Sequence, residues 1–293
     1  MNLNPINQTN LYGLDKYLLE LTNLYQKKLL PNKILLSGLR GLGKSTLAYH
    51  LVNFVLSKNE DDSYDLKNLK INEKNKSFKL ILNKSNPNFD LIDIEDDKKM
   101  IDVLQIRNLI SKLNKSSFNN KPRFILIDNI DYLNTSSINA LLKILEEPSD
   151  NIFFILINNN KTVLSTLISR CLNFKIYLSN KEVKNVSQKL FNISIDKIIN
   201  QDLLSYYFTP GDLYNLIKLT KINKLDLSDM NLKKILSFLI EQKFYKKNNQ
   251  IKHIIFDFIE LYFRNYMSIA SINKYLGYSY FLRKFYNAKK FNL

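Results

Sequence analysis

Five short apolar runs, set apart by stretches of helical periodicity, organise the chain up to residue 178. They are Ile34-Leu35-Leu36, Phe89–Ile94, Phe124–Asp128, Ile152–Ile157 and Phe174–Leu178, each of strand length, the third ending in a carboxylate. Between them apolar positions recur every three or four residues. Leu14, Leu18, Leu21, Leu24, Tyr25 and Leu29 mark a first helix over 14–30. Leu47, Ala48, Leu51, Val52 and Val55 mark a second, and Val103, Ile106, Ile110 and Leu113 a third over 102–113. Further helices are predicted over 134–145 and, shorter, over 163–168. Pro31-Asn32 stops the first helix. Pro148 ends the one that reaches Glu146-Glu147, because proline disfavours helical backbone in the residue before it.

Strands alternating with helices predict a mostly parallel, three-layer α/β sheet. Residues 58–86 are polar and carry Lys67, Lys70, Lys74, Lys76, Lys79 and Lys84, which predicts an irregular, solvated insertion. Beyond residue 178 the strand pattern stops. Residues 179–222 read as helical segments punctuated by Thr209-Pro210-Gly211, and 228–293 as helical throughout, with Ile254, Phe256, Phe258, Ile259, Tyr262 and Phe263 among the apolar positions. These aromatics interleave with lysines, but helix-packing core is a better account of them than base stacking.

The chemistry sits between the first strand and the second helix. Gly38-Leu39-Arg40-Gly41-Leu42-Gly43-Lys44-Ser45 fits G-x-x-x-x-G-K-[ST] without a mismatch, and Thr46 follows. Glycine admits positive φ and carries no side chain, so backbone N–H groups can curl around phosphate oxygens. Lys44 can reach β- and γ-phosphates, the Ser45 hydroxyl can ligand Mg²⁺, and the helix N-terminus adds partial positive charge. A plain glycine turn would need none of this, and the amphipathic helix that follows supports the phosphate reading. Asp128, closing the third strand, is placed to orient Mg²⁺ or its waters.

At 293 residues the chain is long enough for two or three domains, and 45% hydrophobic residues suffice for sizeable cores. No apolar run has the length of a membrane span, and MNLNPINQTN lacks a secretory pattern, so a cytoplasmic protein without a membrane partner is expected. The lone Cys171 excludes an internal disulfide framework and any multi-cysteine zinc site. His50 and His253 read as packing or surface residues. Lys and Arg number 43 against 27 Asp and Glu, a net +16. That charge favours a polyanionic partner, most simply nucleic acid, although a chain rich in Lys, Asn and Ile throughout would carry it anyway.

Four stretches, GLRGLGKST, FILIDNID, INALLKILEEP and LISRC, occur in one order. Together they resemble the bacterial clamp-loader branch of the AAA+ ATPases, most closely its delta-prime type of DNA polymerase III subunit. The resemblance is good over residues 10–178, from Leu11-Tyr12-Gly13 onward, and weakens beyond. It implies an AAA+ P-loop domain over 1–178, a small helical lid over 179–224 and an all-α collar over 225–293 that mediates oligomerisation. It also implies a hetero-pentamer with gamma/tau and delta types of subunit, which opens a sliding clamp and loads it at primer–template DNA. Carried over by residue, Gly38, Gly41, Gly43, Lys44, Ser45 and Thr46 become the nucleotide loop, and Asp128 the Mg²⁺-orienting acid beside Ser45. Asn158 becomes the sensor. Arg170 becomes the arginine that reaches a neighbouring subunit's ATP site, where a guanidinium can stabilise phosphoryl charge. Read without the resemblance, Arg170 is a surface arginine capping a helix end.

The departures shape the functional expectation. Hydrolytic relatives follow the acid of the third strand with Glu; here the residue is Asn129, an amide that cannot serve as a base. Asp131 is nearby but out of phase. The lid arginine of relatives is replaced by Tyr214 in Gly211-Asp212-Leu213-Tyr214, and the four-cysteine zinc module of many relatives is absent. The expectation is a stator subunit that holds ATP and Mg²⁺ without efficient turnover and uses no zinc. A hydrolytic gamma/tau-type subunit and a small-molecule P-loop kinase are the alternatives.

Overall fold

Ile34, Leu35 and Leu36 are at most 1% exposed, as are Phe124 to Ile127 and Phe154 to Ile157. Strands buried on both faces belong to a parallel sheet covered by helices on each side. The computed structural model describes residues 3–95, 98, 100–113, 119–146, 151–159, 165–192, 194–200, 203, 206–247, 249–267, 280 and 283–284. Strands β1 (Lys33–Ser37), β2 (Phe89–Ile92), β3 (Arg123–Ile127), β4 (Ile152–Asn158) and β5 (Leu172–Lys175) form one sheet ordered β2-β3-β4-β1-β5. Every pairing is parallel.

The connections are helical: α1 (Asp15–Gln26) precedes β1, α2 (Lys44–Leu56) and α3 (Lys76–Leu82) follow it, and α4 (Val103–Leu113) follows β2. α5 (Thr135–Glu146) links β3 to β4, α6 (Ser165–Ile168) links β4 to β5, and α7 (Asn180–Phe191) comes after. On one face Leu35, Ile125, Ile127, Phe154 and Leu156 pack with Ile106 and Leu109 of α4 and Leu141 and Leu145 of α5. The alternate residues Ile34, Leu36, Phe124, Leu126, Ile155 and Ile157 are buried on the other face, where α2 packs against β4 and against α1. Each such side chain contributes about 1.5–3 kcal/mol. The α/β expectation therefore holds.

Three expectations need correction. The last strand is Leu172–Lys175, not 174–178: its register is set by pairing Ile34 with Leu172 through Ser37 with Lys175. Ile176 donates its N–H to the Ser37 carbonyl at 2.7 Å, and Ile176 and Leu178 stay buried after the ladder ends. Burial outlasts strand pairing there. Leu29 is 66% exposed because α1 stops at Gln26 and leaves it off the packed face. Residues 58–86 are not a loose insertion: Tyr64, Ile71, Phe78 and Ile81 are buried. Asn75 caps α3 by accepting from the Phe78 N–H at 2.8 Å, and Asn53 of α2 donates to it. His50 of α2 contacts the Tyr64 hydroxyl at 2.7 Å and the Gln8 carbonyl at 3.1 Å. Burial pushes its imidazole down to about 4, so this packing histidine is neutral.

The chain divides into two units, 1–182 and 183–293, with the boundary inside α7. Among the described residues the second unit holds helices Pro210–Ile222, Leu232–Glu241, Phe244–Lys247 and Asn249–Met267 and no strand. Thr209-Pro210-Gly211 starts a helix. Thr209 accepts from the Asp212 N–H while the Asp212 carboxylate accepts from the Thr209 N–H, a reciprocal cap with proline at the tolerated first position. Phe258 is fully buried and meets Tyr206 and Phe208 edge-on, as packing aromatics do. Among the described residues no helix is long and apolar enough to cross a membrane. Glu147, Pro148, Val163 and Leu164 of the expected elements lie outside the described residues, as does the side chain of His253.

Candidate nucleotide-binding site and the arginine at the sheet edge

The turn between β1 and α2 is shaped by its glycines. Gly38 has φ +152°, and a Cβ there would strike the carbonyl oxygen of Ile176. Gly43, the residue before α2, has φ +89°, in the left-handed region that side chains rarely adopt. Gly41 is likewise at positive φ. Inside this curl Lys44 is 3% exposed, and its Nζ donates to the carbonyls of Gly38 at 2.9 Å and Leu39 at 2.6 Å. Burial pulls the ammonium down to about 8; Asp128 and Asp131 hold it up, and Arg40 opposes them. Lys44, Ser45 and Thr46 open α2, so their N–H groups have no carbonyl one turn back to bond. A buried cation and free backbone donors at a helix start suit a phosphate.

Asp128 reaches this turn from two strands away. It follows β3, whose neighbour β4 lies beside β1, and Asn158, the last residue of β4, pairs with Ser37. The Ser45 Oγ donates to Asp128 Oδ2 at 2.5 Å, and the Asn129 N–H donates to Oδ1 at 2.8 Å. Burial raises the Asp128 carboxyl to about 6; the Ser45 bond lowers it, the Asp93 charge raises it, and Lys44 lowers it. A hydroxyl and a carboxylate side by side are hard oxygen donors of the kind Mg²⁺ prefers. All of these groups sit at the carboxyl ends of the strands, where open parallel sheets bind ligands.

Asn129 is fixed by both ends of its amide. Its backbone is left-handed at φ 56°, its Nδ2 donates to Asp93 Oδ1 at 2.8 Å, and its Oδ1 accepts from Asn159 Nδ2 at 2.7 Å. The Asn159 N–H lies 3.4 Å from Asp131 Oδ1. An amide held this way donates to a carboxylate and takes no proton. Asp93 and Asn159 were not singled out from the sequence. The available signal was positional: each follows a strand flanking β3, just as Asn129 follows β3 itself.

The structure gathers Gly38, Gly41, Gly43, Lys44, Ser45, Thr46, Asp128 and Asn158 at one end of the sheet and leaves Arg170 at the other. Leu172, two residues on, pairs with Ile34 near the start of β1, whereas the glycine turn follows Ser37. Three residues of strand separate the levels, about 10 Å. β5 is an edge strand. The Arg170 guanidinium donates to the Thr166 carbonyl at 2.8 Å and, through its other terminal nitrogen, to Glu146 Oε1 at 2.8 Å. Within the chain it thus does cap a helix end. Burial pushes the adjacent Cys171 thiol up to about 11, which disfavours the thiolate. In the second unit, Tyr214 stacks on Phe191 with centroids 6.1 Å apart and lies beneath Lys218.

The sequence is similar to those of DNA polymerase III subunits. The family described as DNA polymerase III, delta subunit, matches residues 13–180. DNA polymerase III subunit delta' of Buchnera aphidicola subsp. Schizaphis graminum is 28% identical over 279 residues, 92% of this chain and 83% of that protein. DNA polymerase III subunit gamma of Buchnera aphidicola subsp. Acyrthosiphon pisum is 29% identical over 233 residues, 74% of this chain and 61% of that protein. Among solved structures, a DNA polymerase III gamma subunit-related protein of Thermotoga maritima aligns with TM-score 0.44 at 16% identity, covering 78% of this chain and 65% of that one. The family match covers more than half of the chain's length, so the chain belongs to the DNA polymerase III, delta subunit, family, and its first unit is an α/β fold with a parallel sheet and an intact phosphate loop.

Proposed function

We propose that this chain is a delta-prime-type stator of a clamp loader, which holds ATP and Mg²⁺ without efficient turnover and lends Arg170 to a neighbouring subunit. The observation that carries this is the separation of Arg170 from the chain's own phosphate loop by the height of the sheet. An arginine there serves a site the chain does not own.

The residues fit the nucleotide. Lys44 and the N–H groups of α2's first turn, in the curl that Gly38 allows by packing against the Ile176 carbonyl, would take the phosphates. Ser45 and Asp128 would take Mg²⁺, and Asn158 the γ-phosphate side as the expected sensor. The bound metal would neutralise phosphate charge. Asn129, locked between Asp93 and Asn159, leaves that position without a base. This weighs against the hydrolytic gamma/tau reading despite the gamma-type relative.

The partners proposed are gamma/tau- and delta-type subunits in a hetero-pentamer, with the sliding clamp and primer–template DNA met through the complex in the cytoplasm. Residues 179–224 form the lid and 225–293 the collar, and no zinc is used. The test is reconstitution with wild-type motor subunits. Arg170→Ala should assemble normally but lower the DNA- and clamp-stimulated ATPase by on the order of a thousandfold at the site it serves. Arg170→Lys should restore little, because an ammonium lacks the planar fork. An unchanged rate in a fully assembled complex would leave Arg170 as a helix-end cap alone.

A further inference from the structure

Arg170 is held by two groups from different parts of the chain. Thr166 supplies a carbonyl from the short helix just before it. Glu146, the last residue of α5, supplies a carboxylate from 24 residues away. A guanidinium carries five N–H donors in a rigid fork. Only two of these bonds are made, one on each terminal nitrogen, and the other N–H groups have no partner among the described residues. The Arg170 side chain is 33% exposed and that of Glu146 is 54% exposed.

We infer that Glu146 is a positioning residue for Arg170: its carboxylate and the Thr166 carbonyl orient the guanidinium and leave its remaining N–H donors for a phosphate of a nucleotide held by another subunit. This rests on the proposed trans role of Arg170 and adds the residue that sets its orientation. An arginine in the turn after a short helix has several soft torsions, and freezing them before docking lowers the entropy cost of meeting the phosphate. Two fixed contacts on different nitrogens define the plane of the fork. The carboxylate also favours one guanidinium edge without neutralising it by burial, because an exposed pair is weak. Being weak, the pair adds little to folding, so its role lies in orientation.

The experiment uses the full chain in the reconstituted complex, with Arg170→Ala as reference. Glu146→Gln should lower the kcat of the DNA- and clamp-stimulated ATPase about two- to fivefold, the range that about 0.5–1 kcal/mol of an exposed charged contact represents. The KM for ATP should not change. Glu146→Asp should keep most of the activity, and the double variant Glu146→Gln/Arg170→Ala should be no slower than Arg170→Ala. Wild-type kcat for Glu146→Gln beside a reduced Arg170→Ala overturns this inference and spares the trans arginine. Additive losses in the double variant overturn it as well, because Glu146 would then act elsewhere. A wild-type rate for Arg170→Ala overturns the trans arginine itself.

Discussion

Asp128→Asn should stabilise the nucleotide-free chain at neutral pH while weakening Mg²⁺-dependent nucleotide binding. Burial raises this carboxyl from 3.8 to about 6, against the Ser45 hydrogen bond and with help from the Asp93 charge. A shift of this size disfavours the ionised form by about 3 kcal/mol. Asp128 keeps some solvent contact, and screening brings the figure to about 2 kcal/mol. The folded chain holds this proton more tightly than the unfolded one. The group's favourable contribution is therefore complete below pH 3.8 and is lost as pH rises through about 6. Asparagine is the isostere of the protonated acid: it can accept from the Asn129 N–H and donate to Ser45 Oγ, and it does not titrate. Urea unfolding of both proteins without nucleotide, at pH 4 and pH 7.5, reads the effect, since titrations not coupled to Asp128 cancel in the difference; Lys44, which Asp128 holds up, is the coupled group, and Lys44→Met in both backgrounds removes it. The variant should be more stable by about 2 kcal/mol at pH 7.5 and by about 0.5 kcal/mol or less at pH 4. A variant destabilised at pH 7.5, or an advantage independent of pH, would refute the desolvated carboxylate.

Gly38→Ala should cost about 1–3 kcal/mol in unfolding and remove any nucleotide-induced thermal shift, because the new Cβ meets the Ile176 carbonyl at a strained φ; a variant within about 0.5 kcal/mol of wild type would contradict the cradle. Asn129→Glu should create no ATPase and should destabilise the chain by about 1–3 kcal/mol, since it removes the donor to Asp93 and sets a second carboxylate against it. Steady-state turnover and urea midpoints of that variant check both parts. Removing residues 225–293 should abolish co-elution with the other subunits in gel filtration, and normal assembly of the truncated chain would end the collar assignment.

How much could be read beforehand depended on how local each feature is. The glycines, Lys44 and Ser45 are legible because the chemistry needs them consecutively, and the doubly buried strands show as continuous apolar runs. Asp128 was legible because β3 ends there. What escaped was set by tertiary pairing. β5 begins at Leu172 because Ile34 fixes its register, although Leu172 is exposed and Leu178, beyond the ladder, is buried. Residues 58–86 lack periodicity and are held by polar contacts, such as His50 with Tyr64 and Asn53 with Asn75, that no hydrophobic pattern displays. The clamp on Asn129 joins three loops, and the contact of Glu146 with Arg170 spans two motifs, so neither follows from spacing. The position of Arg170 opposite the phosphate loop needed the sheet order, since its motif alone indicates a helix end.

Binding without turnover is the centre of this account. The direct measurement is a single-turnover experiment with the isolated chain in excess over labelled Mg-ATP, paired with calorimetric binding on the same preparation. Saturable binding that Lys44→Ala abolishes, with product no faster than in buffer, is the predicted result. Lys44-dependent hydrolysis by the chain alone would contradict it, and would mean that Asn129 does not silence the site.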